Sequence, residues 1–543
     1  MTDFSAFPLP VLAPDASPEF IDAETCKAWV ENVPLANVAA AQQQLLSQIR
    51  EFNRFSTSAM ARLGALEAIR EAVHFVQIEQ AKRFTNRALP MSEPEVAVFQ
   101  ETLALWEQMR LGYLRCLEAA AMGDAAIRVQ GALVAQRALA YSGLKMFHHY
   151  RAYRQVPAPE WRALHEAYAR AEELDVAEAL IKDYLNRDVH DTSPRIAYVR
   201  ALLTGLCNPN ELTQRQLTFV TYLLERWASK VEIGRTPPAW KDVPPLAVDL
   251  AGEVVPERVD PTAAQGDSIR FLDTDRLAKS LRNRVGLLRK GESPARLALG
   301  EDCVQPSCEQ LLVFLYRQWC QMRATRVPER QRVSGVAQIC NSIAGIHYFV
   351  SDRAFRQPRT SSALTHQEQD ELATLGRVST RSDDKYVTLQ GFALELWQRV
   401  DQSAQGLKMV RKADTPGRRF AHGQLLAVRP SDEKNFLLAQ VRWLMNSDQG
   451  DLYAGLKIMP GLPAAIAVRP AGVNAANEKY VPALLLTGVP AQNAPPSLIL
   501  PAGWYKPKRI IEVYVELALR VRLDEVLERG SDFERVAYET LDA

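Results

Sequence analysis

The sequence predicts an α+β multidomain protein: an N-terminal helical bundle or array, a middle α+β region, and a small antiparallel β-barrel in the C-terminal third. Three observations predict it. A chain of 543 residues exceeds what one core ordinarily organises, so about two to four domains are expected. Between Ala39 and Lys230, apolar residues recur at three- and four-residue spacing, the period of an amphipathic helix. From Arg377 onward, short apolar and β-branched runs alternate with turn-forming clusters, the pattern of a small barrel.

The elements follow in order. Residues 1–38 are rich in Pro, Ala and Asp and read as a loosely tethered lead-in. The helical domain spans 39–235. Leu45, Ile49 and Phe52, then Leu63, Leu66, Ile69, Val73 and Val76, each mark one apolar face. Ser92 with Glu95 reads as a capping box opening a helix, Ser193-Pro194 and Asn210 mark later starts, and Gly123-Asp124 separates two long helices. The middle region, 236–370, opens after Pro237-Pro238 and Pro244-Pro245. Leu246–Leu250 with Gly252–Val255 reads as a hairpin, and Asp273–Leu288 and Pro306–Met322 read as helices. Val333–Val350 leaves buried helix and strand both open, because short apolar runs do not separate by period. The barrel is expected over 371–470. Its strands are read at Tyr386–Leu389, Ala393–Trp397, Gln424–Arg429, Phe436–Trp443 and Tyr453–Ile458. Residues 471–543 read as a β-rich extension packed on the barrel and ending in a polar segment from Glu525.

Composition removes several function classes. Hydrophobic residues are 47% and charged residues 24%, as in globular proteins. Lys and Arg number 65 against 64 Asp and Glu, so no basic excess exists to displace counterions from a nucleic acid polymer. No apolar run is long enough to span a bilayer, and no basic stretch followed by an apolar one opens the chain, so a cytoplasmic protein is expected. The seven cysteines are mostly scattered. Only Cys303 and Cys308 are close, without a second pair at zinc-site spacing, and reduced thiols are expected. No dinucleotide fingerprint, P-loop lysine motif or H-E-x-x-H is present, so neither catalysis, a metal nor a cofactor is expected. His148 and His149 are adjacent and point about 100° apart on a helix, unsuited to sharing a metal. His347 lies in an apolar run and reads as a core histidine.

Two clusters carry the chemistry. Arg377-Val378-Ser379-Thr380-Arg381 has the form R-x-x-x-R, and Asp401-Gln402-Ser403-Ala404-Gln405-Gly406 has the form D-x-S-x-x-G. In this order, opening a run of strands, the pair resembles the signature of PilZ domains, bacterial β-barrel receptors for cyclic di-GMP. The resemblance covers about residues 370 to 465 and does not extend to the helical portion. Gly376 stands where many PilZ domains carry a further arginine. The resemblance implies a PilZ-like barrel, with cyclic di-GMP as ligand and Arg377, Arg381, Asp401, Ser403 and Gly406 as its binding residues.

The residue types suit that ligand. A guanidinium grips phosphate bidentately, stacks on a purine, or pairs with guanine O6 and N7. Asp401 suits guanine N1–H and its exocyclic amine, Ser403 a phosphate, and Gly406 either a chain turn or close ligand approach. Arg411, Arg418 and Arg419 read as a solvated loop or as extra ligand contacts, the first being favoured. Trp397 and Trp443 read as core or rim aromatics. The expectation is a bacterial effector that binds cyclic di-GMP and signals to a protein partner through its helical region. The alternative is a nucleotide-independent scaffold with a degenerate barrel.

Overall fold

The computed structural model describes residues 7–264, 266–300, 302–305, 307–322, 331–358, 392–472 and 478–541. The chain divides into two compact units, Met1–Arg87 with Met91–Thr325, and Ala88–Pro90 with Arg326–Ala543.

In the first unit the helical period becomes α1 (Ala23–Val30), α2 (Val38–Arg54), α3 (Ala59–Ala81), α4 (Glu93–Ala121), α5 (Ala125–Arg128), α6 (Gly131–Arg151), α7 (Ala158–Glu173), α8 (Pro194–Leu206) and α9 (Gln214–Trp227). The capping box of Ser92 and Glu95 opens α4, and the Ser193 hydroxyl accepts from the Ile196 N–H at the start of α8. After Gly123, at φ 97°, Asp124 caps α5. The start expected at Asn210 falls in a short 3₁₀ turn; Thr213 and Gln216 form the box that opens α9. A two-residue ladder, β1 (Ile181–Lys182) with β2 (Asp191–Thr192), interrupts the helices.

The lead-in is not loose. Phe7, Phe20, Cys26 and Trp29 join the core, with the Phe20 ring 5.2 Å from Trp29 and 5.0 Å from Phe52. Burying those rings removes more apolar area from water than a Pro-rich composition suggests. The middle of the chain shares this core through Leu246, Val248, Leu272, Leu277 and Trp319. Its sheet runs β3 (Glu232–Gly234), β6 (Ile269–Asp273), β4 (Leu246–Asp249), β5 (Glu257–Arg258), followed by α10 (Asp275–Arg289) and α11 (Ser307–Cys320). The expected hairpin partner Gly252–Val255 is connecting chain: β4 pairs with β5 and β6, and the Val254 carbonyl lies 3.0 Å from His165 Nε2. Cys303 and Cys308 are disulfide-bonded, so reduced thiols do not hold for this pair.

In the second unit the ambiguous run after Val333 divides into both alternatives: strand β8 (Val336–Asn341), then helix α12 (Ile343–Ser351). Ser342 separates them, its hydroxyl accepting from the Gly345 N–H. Strands β7 (Gln331–Arg332), β8, β9 (Glu395–Ser403), β10 (Gly406–Arg411), β11 (Leu425–Pro430), β12 (Leu437–Asn446) and β13 (Leu452–Ile458) form an antiparallel sheet of order β10-β13-β12-β11-β8-β9-β7. Pairing of β9 with β10 returns the sheet on itself, a closed ring that leaves β7 alongside β9. The strand read at Tyr386–Leu389 lies outside the described residues.

The C-terminal extension is a second closed barrel: β14 (Pro463–Pro470), β15 (Val481–Leu486), β16 (Ser497–Pro501), β19 (Phe533–Thr540), β18 (Ala518–Arg529) and β17 (Ile510–Tyr514), in that order round the ring. Strand membership therefore crosses both expected boundaries of 371–470. β8 enters the first barrel from the region assigned to 236–370, and β14, within the expected barrel, belongs to the second. The polar tail from Glu525 begins in β18 and continues through β19. β18 turns Val521 and Leu523 inward and Arg520 and Arg522 outward, so its charge count conceals a period of two. Ile466, Val468, Leu498, Ile511, Leu523 and Val536 fill the second barrel, while α12 packs in a core shared by both, with Leu425, Leu438, Leu484 and Phe533. No described helix is long and apolar enough to cross a membrane.

Candidate functional site

The D-x-S-x-x-G motif is a hairpin. Asp401 and Ser403 lie on β9, Ala404 and Gln405 form the two-residue turn, and Gly406 opens β10 opposite Ser403. The motif's spacing follows from this geometry. Residues two apart on a strand share a face, and a two-residue turn sets Gly406 against Ser403. Gly406 is not among the residues with positive φ, so the turn itself does not demand glycine. The neighbouring strand does: a Cβ at Gly406 would stand 2.9 Å from the Leu456 carbonyl oxygen on β13. Gly406→Val is therefore expected to part β10 from β13 and cost about 1–3 kcal/mol, read as a lower urea midpoint. An unchanged midpoint would contradict this account of the glycine. Arg377 and Arg381 lie outside the described residues.

Register extends the hairpin into a row. Asp401 pairs with Arg332 of β7 on one side and with Lys408 of β10 on the other. Lys408 in turn pairs with Gly455 of β13, and Gly455 with Trp443 of β12. Directly opposed residues point to the same side of a sheet. That side is the outer one, since the flanking Leu407 and Met409 are buried inside. Gly455 explains how the indole fits: a Cβ there would lie 1.8 Å from Trp443 Nε1, so only a bare backbone lets the ring lie against the strand. Tyr453, two residues along β13, places its ring centroid 5.6 Å from Lys408 Nζ. The outer face thus carries a carboxylate, a hydroxyl, two cations and two aromatic rings within five neighbouring strands.

Of Arg411, Arg418 and Arg419, the first is a core residue and the other two are exposed in the loop after β10. Arg411 is buried on β10, its Nη1 donating to Glu395 Oε2 at 2.9 Å, with Trp397 and Phe420 ring centroids 5.5 and 5.7 Å away. Arg418 donates its backbone N–H to Glu395 Oε1 at 2.6 Å, and Arg419 Nε donates to the Ala88 carbonyl at 2.7 Å. The favoured solvated-loop reading therefore fails for Arg411, which lies within a strand. Trp397 is a core residue, whereas Trp443 is half-buried on the outer face. His148 and His149 are buried, and burial pushes them down to about 3 and about 4. His347 is also buried, its ring in edge contact with Phe355.

Sequence reasoning missed Arg332 and Lys408, and read Trp443 as a core or rim aromatic without placing it beside Asp401. Lys408 left a signal, standing between the apolar Leu407 and Met409 directly after the motif. Arg332 left none, and the place of both Arg332 and Trp443 in the row is set by pairing between strands distant in the chain.

Two family models match the chain: "Cyclic-di-GMP receptor FimW, N-terminal domain" over residues 24–238, and "FimW C-terminal beta-barrel domain" over residues 466–541. The first covers the helical array and the second the distal barrel, so the likeness to a receptor family reaches well beyond residues 370 to 465. The D-x-S-x-x-G hairpin lies between the two matched segments. A curated relative, the cyclic-di-GMP receptor FimW of Pseudomonas aeruginosa, is 24% identical over 540 aligned residues, covering 90% of this chain and 84% of the relative. In both matched segments, and over nine tenths of its length, the chain is similar to receptors of the FimW family.

Proposed function

We propose that the protein is a bacterial cyclic di-GMP-binding effector, holding the nucleotide on the outer face of its first barrel and signalling through its helical region to a protein partner. The row Arg332–Asp401–Lys408–Gly455–Trp443 is the observation that carries this reading. A ligand with two guanines and two phosphates needs acceptors for guanine N–H groups, cations for phosphate and flat apolar surface for the purines. Asp401 supplies the first, and Lys408 and Arg332 join Arg377 and Arg381 in supplying the second. Trp443 and Tyr453 supply the third. Ser403 donates to a phosphate. The similarity to a cyclic-di-GMP receptor across both units supports the ligand and the receptor role. Signalling requires that the nucleotide bind one arrangement of the protein better than another.

Calorimetric titration of the whole chain with cyclic di-GMP tests the proposal. The expected result is saturable binding, weakened about tenfold to hundredfold by Asp401→Ala, the worth of one bidentate base contact at about 1–3 kcal/mol. The double change Arg377→Ala, Arg381→Ala is expected to abolish the heat without lowering the melting temperature of the unliganded protein. Parent protein giving no heat at high micromolar nucleotide would sink the proposal and favour the nucleotide-independent scaffold.

A further inference from the structure

The helical unit contains a cavity of about 220 Å³ between α3, α6, α8 and α9. It exists because the facing helices carry little bulk there: Ala140 and Gly143 on α6 meet Ala197 and Ala201 on α8. Its walls are polar beyond what packing requires. Arg70 and Arg200 face it, as do Asp183 and Glu225, so its charge balances. Tyr141 and Phe147 add aromatic surface, and Asn186, Thr204 and Thr221 add neutral polar groups.

Two features set this space apart from a filled polar core. His74 lines it, and its buried Nε2 has no hydrogen-bond partner among the described residues. Burial and then the Arg70 charge push this histidine down to about 3, so it stands neutral at pH 7, ready to donate or accept. Arg200 and Glu225 are also loosely matched, Nη2 to Oε1 at 3.6 Å, while Arg200 Nη1 donates to Asn186 Oδ1 at 2.9 Å. Burial lowers Arg200 and raises Glu225 despite their mutual attraction, and Glu225 Oε2 also accepts the Arg187 N–H at 3.1 Å. A molecule that offers both donors and acceptors would give His74 Nε2 a partner and bridge the 3.6 Å gap between Arg200 and Glu225.

Size and charge limit what that molecule is. The volume equals roughly seven waters at about 30 Å³ each, below the ~300 Å³ at which drug-sized pockets begin. A cyclic dinucleotide exceeds it, and its two phosphates would face Asp183 and Glu225 with no net positive charge to offset them. We infer that the cavity is a second small-molecule site, for a compact, planar, uncharged ligand of the nucleobase class, independent of the barrel face. Glu225 and Arg200 would take opposite edges of the ring, His74 a third polar atom, and Tyr141 and Phe147 its apolar surface.

Adenine, hypoxanthine, cytosine and uracil, each titrated into the full chain with and without saturating cyclic di-GMP, test the inference. At least one base is expected to give saturable heat at a stoichiometry near one. Asp401→Ala is expected to leave that heat unchanged, which separates this site from the barrel. Arg200→Gln is expected to weaken binding at least tenfold, and Ala140→Leu, which fills the space and removes no polar group, to abolish it. If Arg200→Gln does not fold, Thr221→Val reads the loss from a milder change. Absence of saturable heat with all four bases to their solubility limits, or binding that survives Ala140→Leu, overturns the inference.

Discussion

Asp183→Ala will destabilise the helical unit by about 3–5 kcal/mol, the cost of removing one partner from a buried ion pair. Asp183 Oδ1 receives Arg70 Nη2 at 2.9 Å, and Oδ2 stands 3.0 Å from Arg137 Nη1, with all three side chains less than a tenth exposed. Glu67 meets the same guanidiniums, Oε1 at 3.0 Å from Arg137 Nε and Oε2 at 3.4 Å from Arg70 Nη1, and also accepts from the Tyr113 hydroxyl at 2.7 Å. With Asp183 gone, two buried guanidiniums share one carboxylate, and the Leu185 N–H loses its acceptor. Burial raises the Asp183 carboxyl, but Arg70 and Arg137 outweigh it and hold the group below its ordinary value. Asp183→Asn keeps an acceptor oxygen without the charge and should fall between alanine and parent. Denaturation followed by the helical far-UV signal measures the effect, as a lower midpoint at constant slope. A loss under about 1 kcal/mol would mean the network is more hydrated than its burial indicates.

Glu107→Gln will remove a large part of the unit's sensitivity to acid. Burial raises the Glu107 carboxyl, but hydrogen bonds and charge from Arg110, then Lys145, overcome this and hold it down at about 2. Arg110 Nη2 reaches Oε1 at 2.6 Å and Lys145 Nζ reaches Oε2 at 2.8 Å. A folded value below the unfolded one contributes stability that is fully present above pH ~4.5 and is lost as pH falls toward 2. The contribution is about 3 kcal/mol, since each tenfold change in proton affinity is worth about 1.4 kcal/mol. Parent protein should therefore lose stability steeply over that window, and the variant should start lower at neutral pH and lose less. Equal slopes against pH in parent and variant would refute the assignment of the linkage to Glu107.

How much of this was readable beforehand depends on the range of the interaction. The capping box of Ser92 and Glu95 and the cap at Ser193 were readable, because a cap is made within four residues. The D-x-S-x-x-G motif was readable as a pattern, but its hairpin was not: no strand was expected between Trp397 and Gln424, where β9 ends and β10 pairs back on it. Val333–Val350 was not: an apolar run satisfies strand and helix alike, and only Ser342 with its cap decides where one ends and the other begins. The second barrel was hidden by β18, where outward arginines and glutamates mask Val521 and Leu523.

By itself the sequence determined the α+β class, the order of helical region, middle region and barrel, and the D-x-S-x-x-G motif that carries Asp401, Ser403 and Gly406. Each of these is a local or periodic property of the chain. Tertiary structure alone decided the rest: β8 closing the first barrel, β14 opening the second, Arg332, Lys408 and Trp443 in one row with Asp401, and Asp183 between Arg70 and Arg137. The physical reason is the same throughout. Strand register and buried charge pairing join residues far apart in the chain, and the energy that selects them arises only when separate elements meet and exclude water.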